Sequence, residues 1–513
     1  QFPSKLAYSL YDNLITNNAW LKARKIMGYN YFKNSKLMYN FCGKPFISLN
    51  KSFLSFLPIK LPEKLKFKIT NLAMEQLKKD PNYHDKIEFN IIPNCYFFDF
   101  NKKVKRLIPH LKKYEILKIE KEFKKIFNLN IHKKSKGSLQ YNLKKIKLLE
   151  KKQKTEKYYQ INGDLTNIKE LVKDCINYGI VPFSIIARHA FIAKELLYSL
   201  ERIKFLTNTQ IQNFLGNLQT MTSLYLDDQK KLTKNKKLIK NFMDKYGHLR
   251  PGTYDINSER YDQLNKKIFF IKDFIKSKTK KKIRFKLSNL QKNKIKKMLL
   301  SKKIDLNVEN LFSYISSSTI NREFAKFIFT KNVSIIIEKV KKFSKKKRIN
   351  HKLISHLSLK EIIKNKNSLK DLNKIIDKNK KNHLINSMIK LPQLIFDTSN
   401  LSIAPFQVNE PNFVTKKIIN SKLINLNNRK RLKNLKGKII ILENADPGYD
   451  WIFSNKIGGL ITKFGGANSH MTIRCSELGV PAAIGCGEKL FNRCINSKKL
   501  ELDCLTKNIK FIN

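Results

Sequence analysis

The sequence predicts a multidomain α+β protein, in which a large, mainly α-helical region precedes a small α/β domain. The first observation behind this prediction is the distribution of glycine, because none of the 17 glycines lies between Gly252 and Gly437. The Gly-free stretch is rich in Lys, Leu, Ile and Asn, a composition typical of helices with solvated faces. The second observation is that nine glycines crowd into residues 437–487, among short apolar runs typical of strands.

These patterns divide the chain into three ranges. We expect residues 1–395 to form the helical region, 396–435 to form a linker and the start of the next domain, and 436–513 to form the α/β domain. Pro405 and Pro411, in polar surroundings, indicate the linker.

Within the helical region, residues 321–343 carry apolar side chains mainly at helical spacings, which predicts a helix. Two short pieces, 86–92 and 95–100, are strand-like. We therefore expect short strands within an otherwise helical region.

The α/β domain is predicted from four compact apolar runs, each of which indicates a strand: 438–442, 459–462, 482–484 and 500–502. Residues 469–478 lie between the second and third runs, with Gly-Gly before them and Gly-Val-Pro after them. A single helix that crosses between strands is the layout of a small α/β domain.

The charge of the chain is strongly positive, with 104 Lys and Arg against 40 Asp and Glu and a net charge of +64. Lys, Asn, Ile and Phe are frequent throughout, as AT-rich coding would produce, and Lys is spread widely rather than gathered in one arm. This favours biased composition over a nucleic-acid or membrane partner. Runs such as 280–282 and 345–348 could still bind polyanions weakly.

Cysteine usage bears on the compartment. The seven Cys are odd in number and form no CxxC pair, which argues against a disulfide framework or a zinc ribbon and indicates a reducing compartment. We expect a cytoplasmic protein. No signal peptide and no unbroken apolar run of about 18 residues occurs, so no membrane span is predicted. The sequence leaves metal ligands unassigned.

His470 is the leading candidate for a catalytic residue. Asn468 or Ser469 would cap the helix, which places His470 in its first turn, where unpaired N–H groups and the helix dipole favour an anion. With an ordinary pKa of roughly 6.5, imidazole offers a neutral nitrogen nucleophile and forms a labile phosphoryl adduct. A histidine that only caps the helix or packs in the core is the alternative reading of these residues.

Residues around His470 are candidates for binding a phosphoryl group. Gly465 and Gly466 would let the backbone approach an anion closely. Ser469 would contribute at the start of the helix. Arg474 shares the face of His470 because it lies four residues on, and Lys463 would add positive charge from the turn.

Residues 465–485 resemble the swivelling phosphohistidine domain of phosphoenolpyruvate-utilising enzymes, such as phosphoenolpyruvate synthase, pyruvate phosphate dikinase and rifampicin phosphotransferase. The places of the shared pattern are filled by Gly465, Gly466, Ser469, His470, Glu477, Leu478, Gly479, Pro481, Ala482 and Gly485. One position departs, because the better-known members usually carry Arg six residues after the histidine and this chain has Ser476. The resemblance implies that His470 carries the phosphoryl group.

A second candidate cluster lies in residues 246–255, which contain His248, Arg250, Tyr254 and Asp255. One interpretation is a structural corner held by an Arg–Asp pair, and the other is a substrate pocket that meets an anionic or amide group. The segment resembles a Tyr-Gly-His-Arg-x-Pro-x-x-Tyr-Asp segment in the central domain of phosphoenolpyruvate-synthase-like phosphotransferases, which implies the second.

The resemblance also covers residues 6–29 and 188–197 and is nearest to L-glutamine kinases. It implies that an ATP-grasp domain phosphorylates His470 with ATP and Mg²⁺. The phosphohistidine domain then swings to a small-molecule acceptor bound by the helical region, residues 1–395. The products would be AMP, phosphate and the phosphorylated acceptor. No Gly-rich phosphate loop precedes residue 437, so we expect the ATP-grasp domain upstream or in a separate chain.

Three functions remain open at this point. The first is the phosphotransferase just described, with glutamine, pyruvate, a sugar or an antibiotic as acceptor. The second is a polyanion-binding protein with a degenerate swivel domain, which the charge suggests. The third is a non-catalytic phosphocarrier that receives phosphate from a partner kinase.

Overall fold

The computed structural model describes residues 2–17, 19–32, 35–162, 164–265, 269, 285–389, 391–397, 410–426 and 435–512. The predicted Lys run at 280–282 and the linker residue Pro405 lie outside these ranges. Among the described residues, no helix combines the length and the apolar composition that a membrane crossing requires.

The first part of the chain is mainly α-helical, as its composition predicts. Its described α-helices are α1 (Lys5–Tyr11), α2 (Ala19–Met27), α3 (Leu49–Leu54), α4 (Glu63–Lys79), α5 (Ile87–Asn90), α6 (Phe100–Leu107), α7 (Lys113–Ile131), α8 (Leu139–Thr155), α9 (Ile168–Asp174), α10 (Val181–Arg202), α11 (Asn208–Gly216), α12 (Met221–Lys234), α13 (Ile239–Tyr246), α14 (Asn289–Ser301), α15 (Val308–Lys346), α16 (His351–Ile354), α17 (Leu359–Lys364) and α18 (Leu369–Met388). A hairpin of β1 (Met38–Phe41) and β2 (Lys44–Ile47) interrupts them.

The long helices α10 and α15 pack against each other at the centre of this region. The predicted helix at 321–343 is confirmed as part of α15, which has 39 residues. Where α10 meets α15, the ring of His189 donates from Nε2 to the Gly137 carbonyl at 2.8 Å, and its Nδ1 lies 2.8 Å from the Tyr314 hydroxyl. Burial lowers the pKa of His189 to about 4, so the ring is neutral.

The strands predicted at 86–92 and 95–100 are wrong. The first piece forms the short helix α5, and the second runs through a loop into α6. Ile92, Tyr96 and Phe97 are buried in the core nevertheless. These residues are apolar because the loop that carries them is buried, and not because they pair in a sheet.

The predicted C-terminal α/β domain contains a seven-stranded sheet. Its strands are β3 (Asn412–Val414), β4 (Ile418–Asn425), β5 (Ile439–Asn444), β6 (Gly459–Phe464), β7 (Ala482–Ile484), β8 (Lys499–Asp503) and β9 (Asn508–Ile512), in the order β3-β7-β6-β5-β4-β8-β9. Strands β4 to β7 pair in parallel, and β3, β8 and β9 extend the edges antiparallel. All four predicted strands and the predicted helix α19 (His470–Leu478) are confirmed.

The two faces of the sheet bury alternate residues of each strand. In β5, Ile439 and Ile441 face the helix α20 (Gly487–Ile495), whereas Ile440 and Leu442 face the opposite core. That opposite core also contains α19, a 3-10 helix at Pro447–Asn455, and a cluster of aromatic rings from α12, α13 and the loop after them. The His470-bearing sheet therefore packs directly against the first part of the chain.

Candidate functional site

Two adjacent parallel strands bring Asp450 and His470 together. Strand β5 leads into the 3-10 helix Pro447–Asn455, which carries Asp450, and β6 leads into α19, which begins at His470. Because the carboxyl ends of parallel strands meet at one edge of a sheet, the elements that follow them become neighbours. The site is thus assembled by the sheet topology from residues 20 apart in the chain.

The imidazole of His470 is held by a carboxylate. Its Nε2 lies 2.7 Å from Asp450 Oδ1 and 2.8 Å from Oδ2. An ionised carboxylate only accepts hydrogen bonds, so Nε2 carries the proton and donates it, and Nδ1 of the neutral ring keeps a lone pair. The His470 side chain is 17% exposed, which leaves the ring partly accessible to a reacting group.

The turn before α19 depends on glycine. Gly465 has a φ of +139°, and a Cβ there would lie 2.6 Å from Ala445 Cβ and 2.8 Å from Ile484 Cγ2. Ser469 is the N-cap, as expected, and its Oγ accepts from the backbone N–H of Thr472 at 3.3 Å.

Gly466 in the same turn packs against a residue from the helical region. A Cβ on Gly466 would lie 3.1 Å from Asp85 Oδ2, and the same oxygen accepts from the Ala467 N–H at 3.4 Å. It also accepts from the Asn412 side chain at 3.0 Å. The backbone at Gly466, which we expected to approach an anion, thus faces the Asp85 carboxylate.

Arg474 and Lys463 each pair with a glutamate. Arg474 is buried, pairs with Glu477 at 2.6 Å, and has its Nε 3.9 Å from Asp450 Oδ1. Lys463 pairs with Glu488 at 3.4 Å. Neither side chain lines the pockets that meet at His470. Arg474 therefore lies next to the Asp450 carboxylate, which holds His470.

A pocket between the C-terminal sheet with its helices (the sheet unit) and the helical region, the His248 pocket, contains residues from both of the clusters that the sequence singled out. It is lined by Met221, Thr222, Tyr225, Tyr246, His248, Leu249, Arg250, Thr253, Glu323, Lys326, Phe327, Thr330, Ser334, Pro447, Gly448, Asp450 and His470. His470 and His248 thus face one cavity although 222 positions separate them in the sequence. Tyr254 and Asp255 do not line it.

His248 is a neutral, buried ring. Burial, together with the charges of Lys331 and Arg260, lowers its pKa to about 3. It packs edge-on against Phe327, with the ring centroids 4.7 Å apart, and neither ring nitrogen makes a hydrogen bond of good geometry. The backbone of Lys245 and that of Phe327 lie near its nitrogens, and the uncharged ring borders the space in which a ligand would bind.

Arg250 is tied into the protein. Its Nη2 donates to Glu338 at 2.8 Å and to Ser334 at 3.2 Å, and its Nη1 donates to the carbonyls of Asp255 and Ser258. The sequence left two interpretations of this segment open, a structural corner and a substrate pocket. These bonds form a structural corner around Arg250. Its acidic partner is Glu338 and not the Asp255 carboxylate. Arg250 nevertheless borders the pocket.

A second pocket, the Arg322 pocket, meets the first at His470. It is lined by Arg322, Glu323, Lys326, Asn444, Ala445, Asp446, Pro447, Phe464, Gly465, Asn468, Ser469, His470 and Ile473. Arg322 and Lys326 lie one turn apart on α15, and burial lowers the pKa of both groups. Among the described residues, neither forms a salt bridge, although Glu323 attracts both groups and Asp446 and Asp450 attract Lys326. Both cations therefore border the histidine in a pocket that also contains carboxylates.

Sequence reasoning missed Asp450, Arg322 and Lys326. The signal for the cations was a polar stripe, because Arg322, Lys326, Thr330 and Ser334 recur every four residues within an apolar helix. Asp450 had no such signal, since its role depends on β5 and β6 being neighbours.

The 3-10 helix that carries Asp450 makes a close backbone contact with the segment that follows His248. A Cβ on Gly448 would lie 2.2 Å from Pro251 Cα and 2.3 Å from the Arg250 carbonyl oxygen. The Gly448 carbonyl accepts from the Tyr261 hydroxyl at 2.8 Å. This close backbone approach places the segment around Gly448 beside the pocket that Asp450 lines.

The described residues contain no group of three or more His, Cys, Asp or Glu side chains arranged to hold a metal ion. The Mg²⁺ that the sequence resemblance implies therefore has no ligand set of this kind within the described ranges.

Comparison with known proteins supports the resemblance around His470. Residues 434–507 match the family model described as PEP-utilising enzyme, mobile domain. No curated protein matches the chain. The match supports phosphotransfer by an enzyme of the PEP-utilising family as the general function of the C-terminal unit.

Proposed function

We propose that this protein is a phosphotransferase in which His470 accepts a phosphoryl group and passes it to a small molecule in the His248 pocket. The observation that carries the proposal is that His470, held by Asp450, lies where two pockets meet. One of them supplies Arg322 and Lys326 for the phosphoryl oxygens, and the other offers room for an acceptor.

The chemistry would proceed in two displacements. In the first, a lone pair of the His470 ring attacks the donor phosphorus, an N–P bond forms, and the donor P–O bond breaks with its electron pair leaving on the donor oxygen. In the second, a nucleophile of the acceptor attacks the same phosphorus, the N–P electron pair returns to the ring, and the acceptor loses a proton. Arg322 and Lys326 would stabilise the negative charge on the phosphoryl oxygens in both steps.

The donor and the acceptor are proposed from the sequence resemblance. The sequence resemblance suggests ATP, held with Mg²⁺ by an ATP-grasp domain upstream or in a separate chain. AMP would leave when the ring attacks the β-phosphorus and takes up both terminal phosphoryl groups. Water would then attack the outer phosphorus and release phosphate, which leaves one phosphoryl group on His470 for the acceptor. The resemblance also suggests L-glutamine as the first acceptor to test. Tyr254 and Asp255 would then support the pocket from behind rather than contact the acceptor.

The proposal is tested by phosphorylating the chain directly. Phosphoramidate, a small donor that reacts with imidazoles, should label the wild-type protein with an acid-labile, alkali-stable phosphoryl group. We expect His470→Asn and His470→Ala to lose that label, and ATP alone to give no label without an ATP-grasp partner. Incubation of the labelled protein with candidate acceptors would then be followed by loss of label from the protein.

His132→Asn is the matched control, because His132 is exposed and lies outside both pockets. It should take up label like the wild type. Undiminished labelling of the His470 variants would refute the assignment. Stable label that no acceptor removes would instead favour the non-catalytic phosphocarrier.

A further inference from the structure

A third pocket, the Arg188 pocket, contains two arginines that the proposed phosphotransfer does not use. Arg24 from α2 and Arg188 from α10 line it together with Trp20, Phe183, Phe191 and Glu88. Neither arginine lines the His248 pocket or the Arg322 pocket.

The two guanidinium groups are poorly partnered. Arg188 is 2% exposed, and its one hydrogen bond among the described residues is a long one, from Nη1 to Asn94 Oδ1 at 3.4 Å. Its Nε and Nη2 and the Nε of Arg24 are buried without a hydrogen-bond partner. No carboxylate of the described residues lies within salt-bridge distance of either group.

Both guanidinium groups also pack on aromatic rings. Both guanidinium groups lie over Tyr29, at 5.7 Å for Arg24 and 5.2 Å for Arg188, and both lie over Phe56. Desolvation and the charge of Arg188 lower the pKa of Arg24 to about 9. Two neighbouring like charges with unused N–H donors, one on the buried Arg188 and one on the half-buried Arg24, are unfavourable unless an anion joins them.

We propose that the Arg188 pocket binds a small organic monocarboxylate, with the carboxylate bridging Arg24 and Arg188. Paired guanidinium groups match the planar, two-oxygen geometry of a carboxylate. Trp20, Phe183 and Phe191 supply apolar walls for the body of the ligand.

Charge complementarity selects a monoanion. The two arginines bring two positive charges, and Glu88 on the pocket wall brings one negative charge, so one further negative charge balances the site. Inorganic phosphate carries close to two charges near neutral pH and would face repulsion from Glu88. Phe191 also lines the wide groove between α10, α15 and α19, so its side chain lies between this groove and the Arg188 pocket.

The site is tested by tryptophan fluorescence, because the chain has two Trp and one of them, Trp20, lines the pocket. In a Trp451→Phe background, acetate and benzoate should change the Trp20 emission saturably. Inorganic phosphate and neutral benzyl alcohol should bind at least tenfold more weakly. Arg24→Met and Arg24→Lys should each weaken benzoate binding at least tenfold, because the bidentate donor is lost.

Arg106→Met is the matched control, since Arg106 is exposed on α6, and His470→Asn controls for binding at the phosphotransfer site. Both should leave benzoate affinity unchanged. Unliganded Arg24→Met should melt no lower than its parent, because relief of repulsion offsets the lost ring contacts. Unchanged benzoate affinity in both Arg24 variants, or a response that disappears in His470→Asn, would overturn the proposal.

Discussion

At the scale of the residue, the site depends on one carboxylate–imidazole pair. Asp450 holds the tautomer and orientation of the His470 ring, and the buried Arg474 stands behind Asp450. An oriented imidazole with one protonated nitrogen presents its other nitrogen as the nucleophile without a search among rotamers. Asp450 is thus a positioning residue in the proposed reaction.

Asp450→Asn tests this role. The Asp450 charge favours the Nε2–H tautomer and stabilises a developing imidazolium, and the amide removes this charge. We therefore expect phosphoramidate labelling of His470 to slow by at least about tenfold. The labelling rate against pH should also change shape, which a purely structural role would not produce. Asp305→Asn, at an exposed position, should label at the wild-type rate. Equal rates and pH profiles for Asp450→Asn and the wild type would argue against a positioning role.

At the scale of the element, the site is a contact between the 3-10 helix Pro447–Asn455 and the turn after α13. The backbones meet at Gly448 and Pro251 without room for a side chain. Apolar burial holds the surrounding elements, because Trp451 and Phe453 share a core with rings from α12 and α13, and burial of each such side chain contributes roughly 1.5–3 kcal/mol.

Gly448→Ala probes that contact. The new methyl group would meet backbone atoms of Arg250 and Pro251, which cannot move aside as a flexible side chain can. We expect the free energy of unfolding to fall by about 1–3 kcal/mol, and amide hydrogen exchange in residues 246–253 to become faster. Gly216→Ala is the control, since a Cβ there meets nothing within 4 Å. Unchanged stability and exchange would show that the two backbones do not approach this closely in solution.

At the scale of the whole molecule, two buried histidines couple stability to pH. The pKa of His189 is lowered to about 4 and that of His248 to about 3, against roughly 6.5 in the unfolded chain. Below pH 6.5 the unfolded state therefore binds more protons than the folded state. The stability that these two neutral histidines contribute is fully present above that pH and is lost as the pH falls toward their folded-state pKa values.

We therefore expect the free energy of unfolding, measured with urea, to be level with respect to these two groups above about pH 6.5. Below it, each histidine should contribute a decrease approaching about 1.4 kcal/mol per pH unit. His248→Phe should reduce the slope between pH 4.5 and 6, because it removes one titrating group. His132→Gln, at an exposed position, should not. A slope identical in His248→Phe and the wild type would contradict the buried, neutral state of His248.

Much of the C-terminal unit could be predicted because its signals are local. The runs at 438–442 and 459–462, the glycine pair Gly465–Gly466 and the cap at Ser469 each specify a conformation through neighbouring residues. The same locality explains the errors at 86–92 and 95–100, where apolar residues buried in a loop have the composition of a strand.

The sequence by itself determined that a histidine stands at the start of a helix behind a glycine turn, because capping and backbone freedom act over a few residues. It also identified the segment around His248. Only the tertiary structure decided that Asp450, Arg322 and Lys326 join His470, that the two histidines share a pocket, and that Lys463 does not face it. The physical reason is that these contacts depend on which strands are neighbours and on which face of α15 meets the sheet unit, and such pairings are set by the packing of the whole chain.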